Sequence, residues 1–220
     1  GIQQTLAKAG LLGDHYTREQ FHAACKEYIA ARGALKSYAR YEAPRDVYWD
    51  DDKYRGEAYG AFAWAVYVAQ VTVDLTTYAV NVDDVVALQE VGKVLNPVLA
   101  EGQITGGVAQ AIGFALYEKV VWQNGRMINN QMTNYIMPTS ADLPPIRVFF
   151  EELGNVHGAH GAKGIGELPM DGPAPAILNA VEDAIGVRFH SIPLLPEDLF
   201  AALRPEPLEQ DSPSSARGSA

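Results

Sequence analysis

The sequence is short of cysteine, of basic charge and of long apolar runs, and each shortage removes a class of protein. A single cysteine, Cys25, leaves no internal disulfide framework and cannot alone hold a zinc ion or an iron-sulfur cluster. A reducing compartment, the cytoplasm, is the expected location. Lys and Arg total 17 against 27 Asp and Glu, a net charge of -10, so most of the surface repels polyphosphate and a general nucleic-acid binder is disfavoured. The longest near-continuous apolar stretch, Tyr59 to Ala69, is well short of the ~20 residues a membrane-spanning helix needs, and no span is expected. The N-terminus, GIQQTLAKAGLL, has neither the basic start nor the apolar segment and small-residue cleavage site of a secretion signal. It also lacks an initiating Met, which suits a processed chain or a segment of a longer polypeptide. What is present is ordinary for a globular fold: 220 residues, 48% hydrophobic and 20% charged.

Local patterns predict the elements. Thr17 and Gln20 have capping-box spacing, and Phe21, Ala24, Cys25, Tyr28 and Ile29 follow at helical intervals up to Gly33. The first 33 residues therefore read as mainly helical, with Cys25 a small hydrophobe on the apolar stripe. Tyr48 to Tyr54, YWDDDKY, reads as a solvated loop, since aspartates alone do not fix a cation's coordination. Valines from Val66 to Val91, interrupted around Thr76 and Thr77, predict a hairpin continuing into a third strand. Asn124-Gly125 predicts another hairpin turn. Ile146 to Leu153 and Val187 to Ile192 read as strands, and Ala176 to Ala184 and Pro196 to Leu203 as helices. Residues 205–220 read as a disordered tail.

Two segments break ordinary rules. Pro97 to Lys119 has helical periodicity, yet Gly106, Gly107 and Gly113 inside a helix cost about 1 kcal/mol each relative to Ala. Gln103 and Gln110 stand on one face of that helix with Gly107 between them. Tight packing against a sheet explains such a face, and so does a flat polar ligand pressed against bare backbone between two amides. The second segment, Asn155 to Met170, carries Gly158, Gly161, Gly164 and Gly166 in a loop whose N-H groups could surround anionic or oxygen-rich atoms. Lys163 lies between Ala162 and Gly164, so a Walker A loop fails, and no third glycine completes a dinucleotide fingerprint. Glu167 follows the glycines directly. It is either a general base among backbone donors or a cap on the helix starting near Pro173. His157 and His160 read as ordinary loop histidines rather than metal ligands.

Three motifs, EVGKVLNPVLAEGQITGGVAQAIGFALYE (Glu90 to Glu118), YIMPTSADLPPIRVFF (Tyr135 to Phe150) and GAKGIGELPMDGPAPAILNAVEDAIG (Gly161 to Gly186), resemble the C-terminal part of the molybdopterin-binding subunit of the xanthine oxidase family, the molybdenum hydroxylases. The resemblance runs from about Ala58 to Leu199, and residues 1–57 fit only loosely. It implies an α+β fold, with a mixed or antiparallel sheet packed by helices, as in the corresponding domain of aldehyde oxidase and xanthine dehydrogenase. It divides the chain into an N-terminal helical segment and linker (1–57), a molybdopterin-binding domain (58–204) and the tail.

The resemblance also implies chemistry. Glu167 would be the base that deprotonates a molybdenum-bound hydroxide while an aldehyde or N-heterocycle gains water-derived oxygen. Gly164, Ile165 and Gly166 would lie against the metal's oxygen ligands, Gln110 and Gln103 against the pterin, and Gly107 and Lys163 would complete the cofactor-binding set. The cofactor would be molybdopterin, in its cytosine dinucleotide form, with the metal held by the pterin dithiolene and not by protein. Some positions depart from the family pattern: Leu168 replaces a proline after the glutamate, and Val156 and Ala159 stand where prolines are frequent. The upstream Gly-Gly-x-Phe-Gly-Gly motif, the cysteines for two [2Fe-2S] clusters and a flavin module are not in the sequence. The remaining molybdopterin-binding segment, an iron-sulfur subunit and an FAD subunit are the expected partners. The alternative is a non-catalytic remnant or interaction module of the same family.

Overall fold

A computed structural model describes residues 1–38, 40, 44, 45 and 47–204. The tail expected at 205–220 lies outside them. The chain forms two compact units, Gly1–Gly60 and Ala61–Ala220.

In the first unit, helix α1 (Ile2–Lys8) is followed by α2 (Arg18–Arg32). The capping box forms as the sequence predicts: Gln20 N-H donates to Thr17 Oγ1 and Thr17 N-H donates to Gln20 Oε1. This satisfies two donors that a helix start leaves open. Leu6, Leu12 and Ala24 form a small core, with Cys25 and Tyr28 packed beside it. The acidic stretch is not a plain loop. Trp49–Asp50 (β1) pairs antiparallel with Arg55–Gly56 (β2), and Asp50 closes the turn by accepting from the N-H groups of Asp52 and Lys53.

The second unit is built on a three-stranded mixed sheet. Strand β3 (Trp64–Val73) pairs antiparallel with β4 (Val80–Glu90), and β4 pairs in parallel with a later strand, Ile146–Glu151, which becomes β7 once the small hairpin below is counted. The separate third strand expected before Val91 does not exist. Val80 and Val82 face the core, and so do Val85 and Ala87, a switch from even to odd positions that reads in sequence as two strands. The register moves from Gln70 opposite Asp84 to Val71 opposite Val82, so Asp83 bulges out and one continuous strand keeps both pairs on the same face. Thr72 Oγ1 donates to the bulged Asp83 carboxylate at 2.6 Å.

The link from β4 to its parallel neighbour contains helix α3 (Pro97–Leu116), as a parallel pair requires a long crossover. Asn96 caps α3, its Oδ1 accepting from Leu99 N-H at 3.2 Å. Ile104, Val108, Ile112 and Ala115 form its fully buried stripe against Val85 and Ala87. The hairpin of β5 (Trp122–Gln123) and β6 (Arg126–Met127) turns at Asn124 and Gly125, both at positive φ. Beyond β7, the short α4 (Leu168–Asp171) leads into α5 (Pro173–Ile185), which packs on β3 and α3 and ends at Gly186 in the left-handed region. Helix α6 (Pro196–Leu203) closes the chain, burying Leu199. Val187 to Ile192 is not a strand. It pairs with no strand; instead Phe189 packs on the core, and just beyond the segment Leu194 N-H donates to Ala115 O at 2.7 Å. Among the described residues, no helix is long and apolar enough to cross a membrane.

Candidate active site

The glycine loop is tied down over its first half. Gly92, at φ +68, lets β4 turn directly beneath it, where a Cβ would overlap Gly161 O. Lys93 N-H and Asn155 N-H both donate to Gly161 O, at 2.8 and 3.0 Å, and Lys163 N-H donates to Val91 O at 2.8 Å. Lys163 adds an ion pair with Glu90 and donates to Phe62 O at 2.8 Å. Glu90 Oε1 also accepts from Gly92 N-H at 2.9 Å. Burial pushes the Glu90 carboxyl upward, but the bonds from Lys163 and Gly92 and the lysine charge outweigh it, leaving Glu90 below its ordinary value.

The second half of the loop is different. The N-H groups of Gly164, Ile165, Gly166 and Glu167 donate to no atom of the described residues. Glu167 occupies the N-cap position of α4 but makes no capping hydrogen bond, so its role as a cap on the helix from Pro173 is not what forms. A turn of helix intervenes.

Glu167, Gly166 and Met170 line one side of a cavity of about 340 Å³, and Gly102, Gln103, Gly106, Gly107 and Gln110 of α3 line the other. The spacing of seven between the glutamines puts both on one face, as helical geometry requires. The glycines divide into two kinds. A Cβ on Gly107 would overlap the Pro169 ring, lying 2.7 Å from Pro169 Cβ, whereas one on Gly102 or Gly106 would meet nothing within 4 Å. The missing side chain at Gly107 thus makes room for Pro169, and the open backbone facing the cavity belongs to Gly102 and Gly106. Gln103 Nε2 donates to Gly166 O at 2.9 Å, linking helix and loop.

Of the residues singled out by sequence, Glu167, Gly166, Gly107, Gln103 and Gln110 share this cavity. Lys163, Gly164 and Ile165 do not. Lys163 is committed to Glu90, and it lines with Ile165 a neighbouring apolar cavity of about 270 Å³, on the other side of Gln103. Ile165 also packs on the core. Sequence reading missed Gly102, Met170 and the supporting pair Tyr67 and Gln89. Gly102 could have been found as another glycine of the α3 run; no local pattern marks a strand tyrosine. Tyr67 Oη donates to Leu168 O at 2.9 Å, and its hydroxyl is pushed up by burial and by the Asp171 charge, against the bond with Gln89. Among the described residues no three His, Cys, Asp or Glu side chains converge as a metal-ligand set.

Chemically, the cavity offers a carboxylate, two amides, bare helical backbone and the N-H groups of Gly166 and Glu167. That set suits a flat, oxygen-rich ligand that needs donors and close approach from the protein.

The model of the molybdopterin cofactor-binding domain matches residues 4–144, and the chain belongs to that family, within the xanthine oxidase group. The match takes in residues 4–60 of the first unit, where the motifs reach only from Ala58, and ends before the glycine loop. The chain is 36% identical over 140 residues to the xanthine dehydrogenase molybdenum-binding subunit of Escherichia coli O157:H7, covering 63% of this chain and 19% of that protein. It is 30% identical over 199 residues to the aldehyde oxidoreductase of Megalodesulfovibrio gigas, covering 87% and 20%. Its fold superposes on the aldehyde oxidoreductase of Desulfovibrio desulfuricans ATCC 27774 with a TM-score of 0.71 and 26% identity, over 90% of this chain and 21% of that one. The chain thus spans about a fifth of the length of these relatives.

Proposed function

We propose that this chain is the part of a molybdenum hydroxylase that supplies the general base and one wall of the molybdopterin cradle, in an enzyme that oxidises an aldehyde or a purine-like N-heterocycle with oxygen from water. The observation that carries the reading is the convergence on one cavity of Glu167, Gln103, Gln110 and the open backbone of Gly102 and Gly106. When bound, molybdopterin supplies a metal centre that acidifies water and accepts a pair of electrons. The chain's own residues do the rest. Gln110 would hydrogen-bond the pterin, Gly102 and Gly106 would admit it against the helix, and the N-H groups of Gly166 and Glu167 would be open to its oxygen atoms. Gly164 and Ile165 contribute backbone donors of the same run, while Lys163 acts from behind by fixing the loop to Glu90. The Glu167 carboxylate takes the proton released as water-derived oxygen is transferred.

The cofactor in this proposal is the cytosine dinucleotide form. The remaining molybdopterin-binding segment, [2Fe-2S] clusters and FAD are supplied by partner chains or by further parts of a longer polypeptide, in the cytoplasm. Related proteins bear names such as nicotine 6-hydroxylase large subunit and 6-hydroxypseudooxynicotine dehydrogenase complex subunit gamma, which support a multi-subunit setting.

In the assembled enzyme, Glu167→Gln should lower turnover by about 10²- to 10⁴-fold, the contribution of a positioned base, with molybdenum content near that of the unaltered enzyme. Retained turnover refutes the assignment. Gly106→Leu should lower molybdenum occupancy, because a side chain there enters open cavity.

A further inference from the structure

Resting on Glu167 as the base, we infer that Tyr67 and Gln103 are positioning residues that pin the peptide carbonyls on either side of it. Gly166 O accepts from Gln103 Nε2 at 2.9 Å, and Leu168 O accepts from Tyr67 Oη at 2.9 Å. The two donors come from different elements, α3 and β3, so the three-residue span Gly166 to Leu168 is stretched between two independent anchors. A phenol has one proton, and Leu168 O is much the closer of its two acceptors, with Gln89 Oε1 at 3.4 Å. Gln89 is fully buried on the core face of β4 and backs the Tyr67 hydroxyl from beneath.

Shape completes the clamp. The Tyr67 ring fills the space a Cβ on Gly172 would need, and Pro169 fills the space beside Gly107. The short helix after Glu167 is therefore seated at Pro169 and Gly172 as well as pinned at Leu168. Glu167 itself makes no capping bond. Its backbone is held while its carboxylate is left free for the cavity. A loop bearing four N-H groups with no partner among the described residues would otherwise be the mobile part of the site, and displacement of a reacting group by about 1 Å costs on the order of 10²-fold in rate.

Two measurements test the clamp. In the full chain, Met170 N-H donates to Glu167 O at 2.9 Å and reports on the span. Amide exchange at Met170 should quicken roughly two- to tenfold in Tyr67→Phe and in Gln103→Leu, the effect of losing one net hydrogen bond. In the assembled enzyme, both variants should lower kcat per molybdenum about 10- to 100-fold with KM held within about twofold. Unchanged Met170 exchange in both variants overturns the proposal. So does a Gln103→Leu enzyme that loses molybdenum yet keeps its kcat per metal, since Gln103 would then be a cofactor contact. Failure of the base assignment appears separately, as turnover retained in Glu167→Gln while the exchange changes persist.

Discussion

The two neighbouring glycines of α3 give opposite responses to one added methyl group. Replacing either by Ala restricts the unfolded chain and improves helix propensity by about 1 kcal/mol. That gain is common to both variants and cancels in their difference. At Gly106 the new Cβ meets nothing within 4 Å, so Gly106→Ala should be stabilising by nearly the whole amount. At Gly107 it overlaps the Pro169 ring and lies 3.3 Å from the Pro169 carbonyl carbon. A pyrrolidine ring has no rotamer to move into, so α4 must be displaced, and such overpacking costs about 1 to 3 kcal/mol. Gly107→Ala should therefore be less stable than Gly106→Ala by that steric term alone. For a unit of this size each kcal/mol moves the midpoint by about 2 to 4 °C. Thermal unfolding followed by Trp fluorescence, with urea midpoints as a second measure, provides the comparison. Equal midpoints for the two variants, or a higher one for Gly107→Ala, would show that Pro169 does not sit against this helix.

The other expectations are simpler. Lys163→Met leaves the Glu90 carboxylate buried with only the backbone N-H groups of Gly92 and Leu153, and should cost about 3 kcal/mol by urea unfolding at neutral pH; a loss below about 1 kcal/mol would show that water reaches the pair. Because the folded-state value of Glu90 lies below the ordinary carboxylate range, its contribution is complete above that range and is lost as pH falls through the lowered value. Glu90→Gln should accordingly flatten the fall in urea midpoint between neutral pH and about pH 3, whereas an unchanged acid slope would rule the pair out as its source. Asn96→Ala removes the acceptor for Leu99 N-H and should destabilise the α3 unit by about 1 kcal/mol, read as faster amide exchange in the helix's first turn; unchanged exchange would count against the cap.

Much of this architecture was written locally. Thr17 with Gln20, Asn96 before Pro97, and Asn124-Gly125 each fix a cap or turn through atoms a few residues apart, so their outcome does not depend on the rest of the chain. The i, i+7 spacing of Gln103 and Gln110 likewise put two amides on one face before any packing was known. Glu167 was marked by its place after the glycines and by the motif that contains it. The valine parity switch at Asp83 was visible but ambiguous, because a bulge and a strand break leave the same trace in sequence.

Tertiary structure decided which neighbours those residues received. Nothing local distinguishes Gly106 from Gly107; Pro169, 62 positions after Gly107, separates them by filling the space beside one and leaving the other open. Lys163 looked like a cofactor contact within its loop, yet Glu90, distant in sequence and buried at the end of β4, claims its charge because an unpaired buried carboxylate is costly. Tyr67 reads as one more strand residue until the fold brings its hydroxyl to Leu168 O across 101 positions. Periodicity and capping chemistry are properties of adjacent residues and can be read along the chain. Close approach and charge pairing belong to surfaces that meet only after folding.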